Sequence, residues 1–263
     1  MRPHRIGALV LRHLLLYRRS PQRIMEIVYW PLLDLLLWGF ITVYLANYRT
    51  ALPTFVTFFV GALILWDVLF RAQQGICITF LEEIWSRNLL NLFASPLTSG
   101  EFIAATMTVS LIKVTAAAVV TIVVALALYS FNLFSLGVAL VPFAVNLVAM
   151  GWAVGIFTTA IILRYGQEAE VLAWGLAFLF QPVSAVFYPV SVLPGWLQRV
   201  TQFIPAAHVF EGMRMVVSGG GFPVAHLVWA TGLNAVYIAA SIAWFQWMFA
   251  LVKSKGLLVR TGE

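Results

Sequence analysis

The chain has 263 residues, 62% of them hydrophobic and only 10% charged, against about 25% charged in a soluble domain. That balance excludes an ordinary water-soluble enzyme. A spanning helix needs roughly 20 apolar residues, so the chain has room for several spans, as a single domain over 1–263, and for no separate soluble domain. A net charge of +6 in so apolar a chain points to basic residues held at the cytoplasmic surface rather than to nucleic acid. The single cysteine, Cys77, excludes an internal disulfide and a multi-cysteine metal site.

Residues 1–20 carry Arg2, Arg5, Arg12, Arg18 and Arg19 among Ile6, Leu9, Val10, Leu14 and Leu16. Arg5, Arg12 and Arg19 recur every seven residues and share one helical face, which predicts an interfacial amphipathic helix on an anionic leaflet. The basic residues run through Arg23 with no short apolar run and cleavage site behind them, so no cleavable signal peptide is expected. Ser20-Pro21 is an N-cap followed by proline at the first helical position. Span 1 is expected over 24–45 with Pro31 as a kink, and a loop over 46–53 leads to span 2 at 54–71. A polar interruption over 72–100 precedes span 3 at 102–128. The turn 129–135 leads to span 4 at 136–163, and a polar loop at 164–170 to span 5 at 171–188. The stretch 189–223 is apolar but broken by Pro189, Pro194, Pro205, Pro223 and Gly219-Gly220-Gly221. It reads as a re-entrant or interfacial helical hairpin, tolerated at membrane depth only under cover of protein or a water-filled cavity. Span 6 is expected at 225–250, before a basic tail. The fold class is all-α, with six transmembrane helices.

With the N-terminus inside, the cytoplasmic side holds Arg2, Arg5, Arg12, Arg18, Arg19, Arg23, Arg71, Arg87, Arg164, Lys253, Lys255 and Arg260. The other side holds Arg49, Arg199 and Arg214. This bias puts both termini in the cytoplasm, and Lys113 lies within span 3.

No Gly-x-x-x-x-Gly-Lys-Ser/Thr loop exists, so the chain has no standard ATPase site and ATP-driven work requires a separate protein. The segment 80–93 predicts a short amphipathic helix outside the membrane. Leu81, Ile84 and Trp85 form its apolar stripe, with Glu82, Glu83 and Arg87 beside it, and Ser95-Pro96 ends it. Such a helix suits a partner's groove, or rests on lipid headgroups.

The run Glu82-Glu83-Ile84-Trp85-Ser86-Arg87, followed by Ser95-Pro96-Leu97 and Glu101, resembles the coupling helix of ABC-2 type transporter permeases. A second group of residues resembles that family's late signature: Tyr188-Pro189-Val190, Leu193-Pro194-Gly195-Trp196-Leu197, Pro205, and Glu211-Gly212-Met213-Arg214. The N-terminal helix is similar to the family's interfacial gate helix. The resemblance covers nearly the whole chain in order and spacing. It implies a homodimer or pseudo-dimer of six-span subunits in a bacterial inner membrane, with two ABC ATPase subunits below. ATP and magnesium would sit on those partners, with no cofactor and no enzymatic activity on this chain. It also implies export of glycans, lipids, drugs or other hydrophobic compounds. No large extracellular insert is present.

Asp34, Asp67, Lys113 and Glu26 are ionisable residues in apolar context, which normally face protein or water. Asp67 and Arg71, four apart, are expected to pair. Asp34 and Lys113 are candidates for an interhelical pair or for the substrate path or its gating. Tyr29, Trp30, Trp38, Tyr44, Phe55, Phe58, Phe59 and Trp66 could line a conduit, or form interfacial belts and ordinary packing. Gly151 and Gly155 mark a close helix contact. His208, Glu211 and Arg214 are spaced as a base–orienter set or as a polar cap. Two further readings of function follow from these residues: a membrane-embedded lipid-processing enzyme using His208 and Glu211, and a proton-driven secondary transporter working through Asp34 and Asp67.

Overall fold

The computed structural model describes residues 1–48, 53–129 and 133–256; Arg49, Arg260 and the side chains of Glu26 and Phe55 lie outside this description. The helices are α1 (Pro3–Arg18), α2 (Pro21–Tyr48), α3 (Pro53–Trp85), α4 (Leu89–Ala94), α5 (Ser99–Tyr129), α6 (Leu140–Tyr165), α7 (Glu170–Val183), α8 (Gly195–Thr201), α9 (Pro205–Val217) and α10 (Val224–Ser254). Four of them begin at proline, whose missing N–H is no loss in a first turn. No strand occurs among the described residues.

Among the described residues, five stretches are long and apolar enough to cross a membrane: Pro21–Tyr44, Phe58–Trp85, Ser99–Tyr129, Leu136–Val183 and Val224–Ser254. The chain is a multi-pass membrane protein. The fourth stretch has 48 residues, and one straight helix of that length would reach about 72 Å, over twice a hydrocarbon core. Instead it folds on itself. Gly166, at φ 66°, ends α6, a conformation glycine adopts without penalty. The register shows the reversal. On α6, Gly151 meets Leu69 and Gly155 meets Gln73 of α3, so α6 runs parallel to α3. On α7, Ala173 meets Gln73 and Phe178 meets Phe70, so α7 runs antiparallel to both.

The buried core forms two clusters stacked along the bundle. One takes Val60 to Ala72 of α3, Phe143 to Val154 of α6, and most of α9. The other takes Ile76 to Ile84 of α3, Ile156 to Leu163 of α6, and Phe245, Met248 and Val252 of α10. The predicted small-residue face is the α3–α6 seam. A Cβ on Gly151 would lie 2.4 Å from the Leu69 carbonyl oxygen, and one on Gly155 3.0 Å from that of Gln73. Gly151→Ala should therefore destabilise the protein by about 1–3 kcal/mol through overpacking, read as a lowered melting temperature in detergent. An unchanged melting temperature would contradict this seam.

The helix predicted over 80–93 is not one helix. α3 is a continuous 33-residue helix that joins span 2 to the first half of the supposed polar loop. The chain then breaks at Ser86–Asn88, with Arg87 at φ 52°, before α4. Leu81 and Ile84, read as a docking stripe, are fully buried in the chain's own core. The polar residues that suggested a loop are satisfied inside the bundle. Gln73 and Gln74 donate to the Ala173 carbonyl, and Thr79 donates to the Gly75 carbonyl.

α1 also departs from expectation. Arg5 and Arg12, predicted to face anionic lipid, turn onto acids of their own chain. Arg12 makes two bonds to the Glu83 carboxylate, at 2.6 and 3.1 Å, and Arg5 lies 3.5 Å from Glu101. Leu9 and His13 are buried against the bundle, with Ile6 and Val10 packed beside them. The stretch 189–223 contains no helix long enough to cross. Its longest, α9, has 13 residues, about 20 Å. α9 is buried among α3, α6 and α10.

Candidate functional site: a two-chambered groove and an exposed helix tip

Three helices present side chains at intervals of three or four, the spacing that keeps residues on one face. α3 contributes Leu63, Asp67, Phe70, Arg71, Gln74 and Ile78; α2 contributes Trp30, Asp34 and Trp38; α7 contributes Trp174, Phe178 and Gln181. With Lys113 and Thr121 of α5, these stripes wall a groove of two chambers.

The larger chamber, about 340 Å³, brings together Asp34, Asp67, Trp38 and Trp66, with Phe70, Phe178, Gln181 and Phe187. Two sets of aromatic contacts border the same chamber. Phe59 lies 6.2 Å from Trp38 and stacks on Phe187 at 4.8 Å, while Phe70 lies 5.0 Å from Phe178. The smaller chamber, about 80 Å³, lies toward α1 and is lined by Arg23, Arg71, Lys113, Trp30, Trp174 and Tyr17, among others. The expected Asp67–Arg71 pair forms, at 3.0 Å, where the two chambers meet. Asp34 interacts electrostatically with Arg71 and Asp67, and makes no ion pair among the described residues.

The suggested Asp34–Lys113 pair does not form, because Lys113 stands in the other chamber. Its ammonium donates to Thr79 Oγ1 at 3.1 Å and lies 4.4 Å from the Tyr17 ring centroid. Tyr29 stays outside the groove, exposed and edge-on to Trp30. The α7 wall and Phe187 were missed. The spacing of Trp174, Phe178 and Gln181 was a usable signal, hidden by the uniform apolarity of the segment.

At the α4 end of the bundle, α3 ends in an exposed tip. Trp85, Arg87, Leu90, Asn91 and Pro96 are exposed. The Trp85 indole N–H donates to Glu170 Oε2 at 3.2 Å, tying the tip to the start of α7. Glu83, by contrast, is 1% exposed. It accepts from Arg12 and from Asn88 Nδ2 at 2.7 Å, and lies 3.4 Å from the buried His13. Glu82 meets Arg23 at 3.5 Å and Tyr17 at 3.3 Å.

The late prolines set helix starts. Pro189 precedes a 3-10 turn, Pro194 precedes α8, and Pro205 opens α9. Glu211 accepts from the Val190 N–H at 2.8 Å and from Arg214 at 3.0 Å, and Arg214 also donates to the Ala185 carbonyl. These bonds pin the 185–190 turn onto α9. His208 bonds to the Gln202 carbonyl and makes no hydrogen bond to Glu211, so this arrangement lacks the base–orienter contact a hydrolase would use.

Among the described residues, several helices long and apolar enough to cross a membrane surround a groove of charged and aromatic side chains. The chain belongs to the ABC-2 type transporter family, whose sequence model matches residues 4–217. It is a transmembrane permease of an ABC transporter, and membership implies partnership with an ABC ATPase. No curated protein matches the chain.

Proposed function

We propose that this chain is one of two identical six-span permease subunits of an ATP-driven exporter in a bacterial inner membrane. Both termini and the α3–α4 tip face the cytoplasm, and α2, α3, α5, α6, α7 and α10 cross the bilayer. The stretch 189–223 forms the external re-entrant hairpin. Two ATPase subunits, carrying ATP and magnesium, dock on the tips. The cargo is an amphipathic or hydrophobic compound that moves from the cytoplasm or inner leaflet through the groove.

The observation that carries this reading is the continuity of α3. One unbroken helix holds the groove wall from Leu63 to Ile78 and ends in the exposed tip at Trp85. A helix about 33 Å long between Leu63 and Trp85 carries a push at the tip to the groove with no intervening loop. Trp85–Glu170 passes the same push to α7, the facing wall. Docking thus uses Trp85, Arg87 and Leu90, while Leu81, Ile84, Glu82 and Glu83 hold the tip in shape. Gating uses Asp67–Arg71 and Asp34.

Two measurements test the reading. Arg2→Cys and Arg260→Cys, made in a Cys77→Ala background, should both resist a membrane-impermeant thiol reagent added outside; labelling of both would overturn the topology. In inside-out vesicles, uptake of a hydrophobic dye should need ATP and survive a protonophore. Uptake that ignores ATP and collapses with the proton gradient would assign the acids to a secondary transporter.

A further inference from the structure

We propose that the larger chamber selects a lipophilic organic cation, held by the Asp34 carboxylate among the rings of Trp38, Phe70, Phe178 and Phe187. This deepens the export reading by naming the chemical class of the cargo. Three observations converge on it. First, the chamber's charge is lopsided: two carboxylates line it and no cation does among the described residues. Arg71, the cation nearest to them, is bound to Asp67 and lines the other chamber, which leaves Asp34 as the acid that no ion pair answers. A carboxylate within an apolar, membrane-length helix is costly and marks a functional site by default.

Second, the lining is aromatic: Trp38, Trp66, Phe70, Phe178 and Phe187 all border the chamber. Trp38, Phe59 and Phe187 form one chain of ring contacts and Phe70 and Phe178 another. Aromatic faces attract cations that have lost their water, and organic ammonium or phosphonium groups shed water most easily. Third, the polar inventory is short. Among the described residues that line it, the side chains offering hydrogen bonds besides the two acids are Gln181, Thr121 and the Trp indoles. A glycan needs many more such partners for its hydroxyls, since each one buried unpaired is destabilising. A volume of about 340 Å³ falls within the range of pockets that take drug-sized ligands.

Tetraphenylphosphonium and tetraphenylborate share a shape and differ in the sign of charge. Equilibrium dialysis of both against the purified permease, with empty micelles subtracted, is the test. The expected result is saturable binding of the phosphonium, with the borate weaker by at least about tenfold. Asp34→Asn should weaken phosphonium binding by about tenfold, and Asp34→Glu should retain it. An unchanged gel-filtration profile in both variants shows that the fold survives. Equal binding of the two ions, or Asp34→Asn without effect, overturns the proposal. Loss of binding that accompanies dissociation of a permease dimer overturns it too, since the carboxylate would then hold a second copy. The binding assay needs no ATPase, so its failure leaves the export reading standing. Binding without ATP-driven transport counts against the export reading alone.

Discussion

Glu83→Ala should release α1 from the bundle and destabilise the protein by about 3 kcal/mol, the lower end of what is lost when one partner of a buried ion pair is removed. The Glu83 side chain is 1% exposed and its partner Arg12 39%, so the freed guanidinium can turn to water; this sets the lower figure. His13 cannot do the same. Asn88 Nδ2 loses its 2.7 Å acceptor at the break between α3 and α4. His13, fully buried, loses the carboxylate 3.4 Å from Nε2. The variant should show a lower melting temperature and faster tryptic cleavage after Arg18, the last residue of the released helix, and Arg19, which follows it. A melting temperature and a cleavage rate equal to wild type would show that α1 is held by its apolar face alone.

The second large effect separates two residues four apart. Leu81→Ala should destabilise the fold itself by about 2–5 kcal/mol, because Leu81 is fully enclosed in the core cluster it shares with Ile156 to Leu163 of α6 and its loss leaves a cavity. Trp85→Ala should leave the melting temperature nearly unchanged, since the indole is 45% exposed. It should instead weaken ATPase association by about 2 kcal/mol, as a central aromatic anchor does. Melting temperature and co-purification, measured on both variants, read the two effects independently. The opposite pattern, with Leu81→Ala stable but dissociated and Trp85→Ala unfolded, would restore the amphipathic helix read from the sequence.

That misreading shows where the sequence loses its power. The i, i+3, i+4 pattern of Leu81, Ile84 and Trp85 identifies a helix and an apolar face, but not the surface that covers it. The acids beside it looked solvated because their partners, Arg12, His13 and Arg23, lie some 60 to 70 positions away on segments read as lipid-bound. Gln73, Gln74 and Thr79 broke the apparent span for the same reason: their hydrogen bonds close inside the bundle. Where the information is local, the sequence is legible. Asp67–Arg71 at one helical turn and Gly151 and Gly155 as a close contact emerge as read, and the proline-broken stretch before α10 holds no helix long enough to cross. Asp34, Asp67, Trp38 and Trp66 do converge on one chamber, since polar groups in an apolar chain have few places to go. The α7 wall is marked by a polar side chain only at Gln181, two turns or more beyond the Glu170 that opens the helix, and the reversal that places it depends on Gly166.

The most direct measurement of the central claim is ATP hydrolysis by the permease purified under mild detergent from its native membrane. The account predicts an ABC ATPase in the preparation, with vanadate-sensitive hydrolysis. That activity should fall away when Trp85→Ala, Arg87→Glu and Leu90→Glu are combined, while the variant's melting temperature holds. A variant that keeps both the ATPase and its activity would contradict the α3 tip as the place where energy enters.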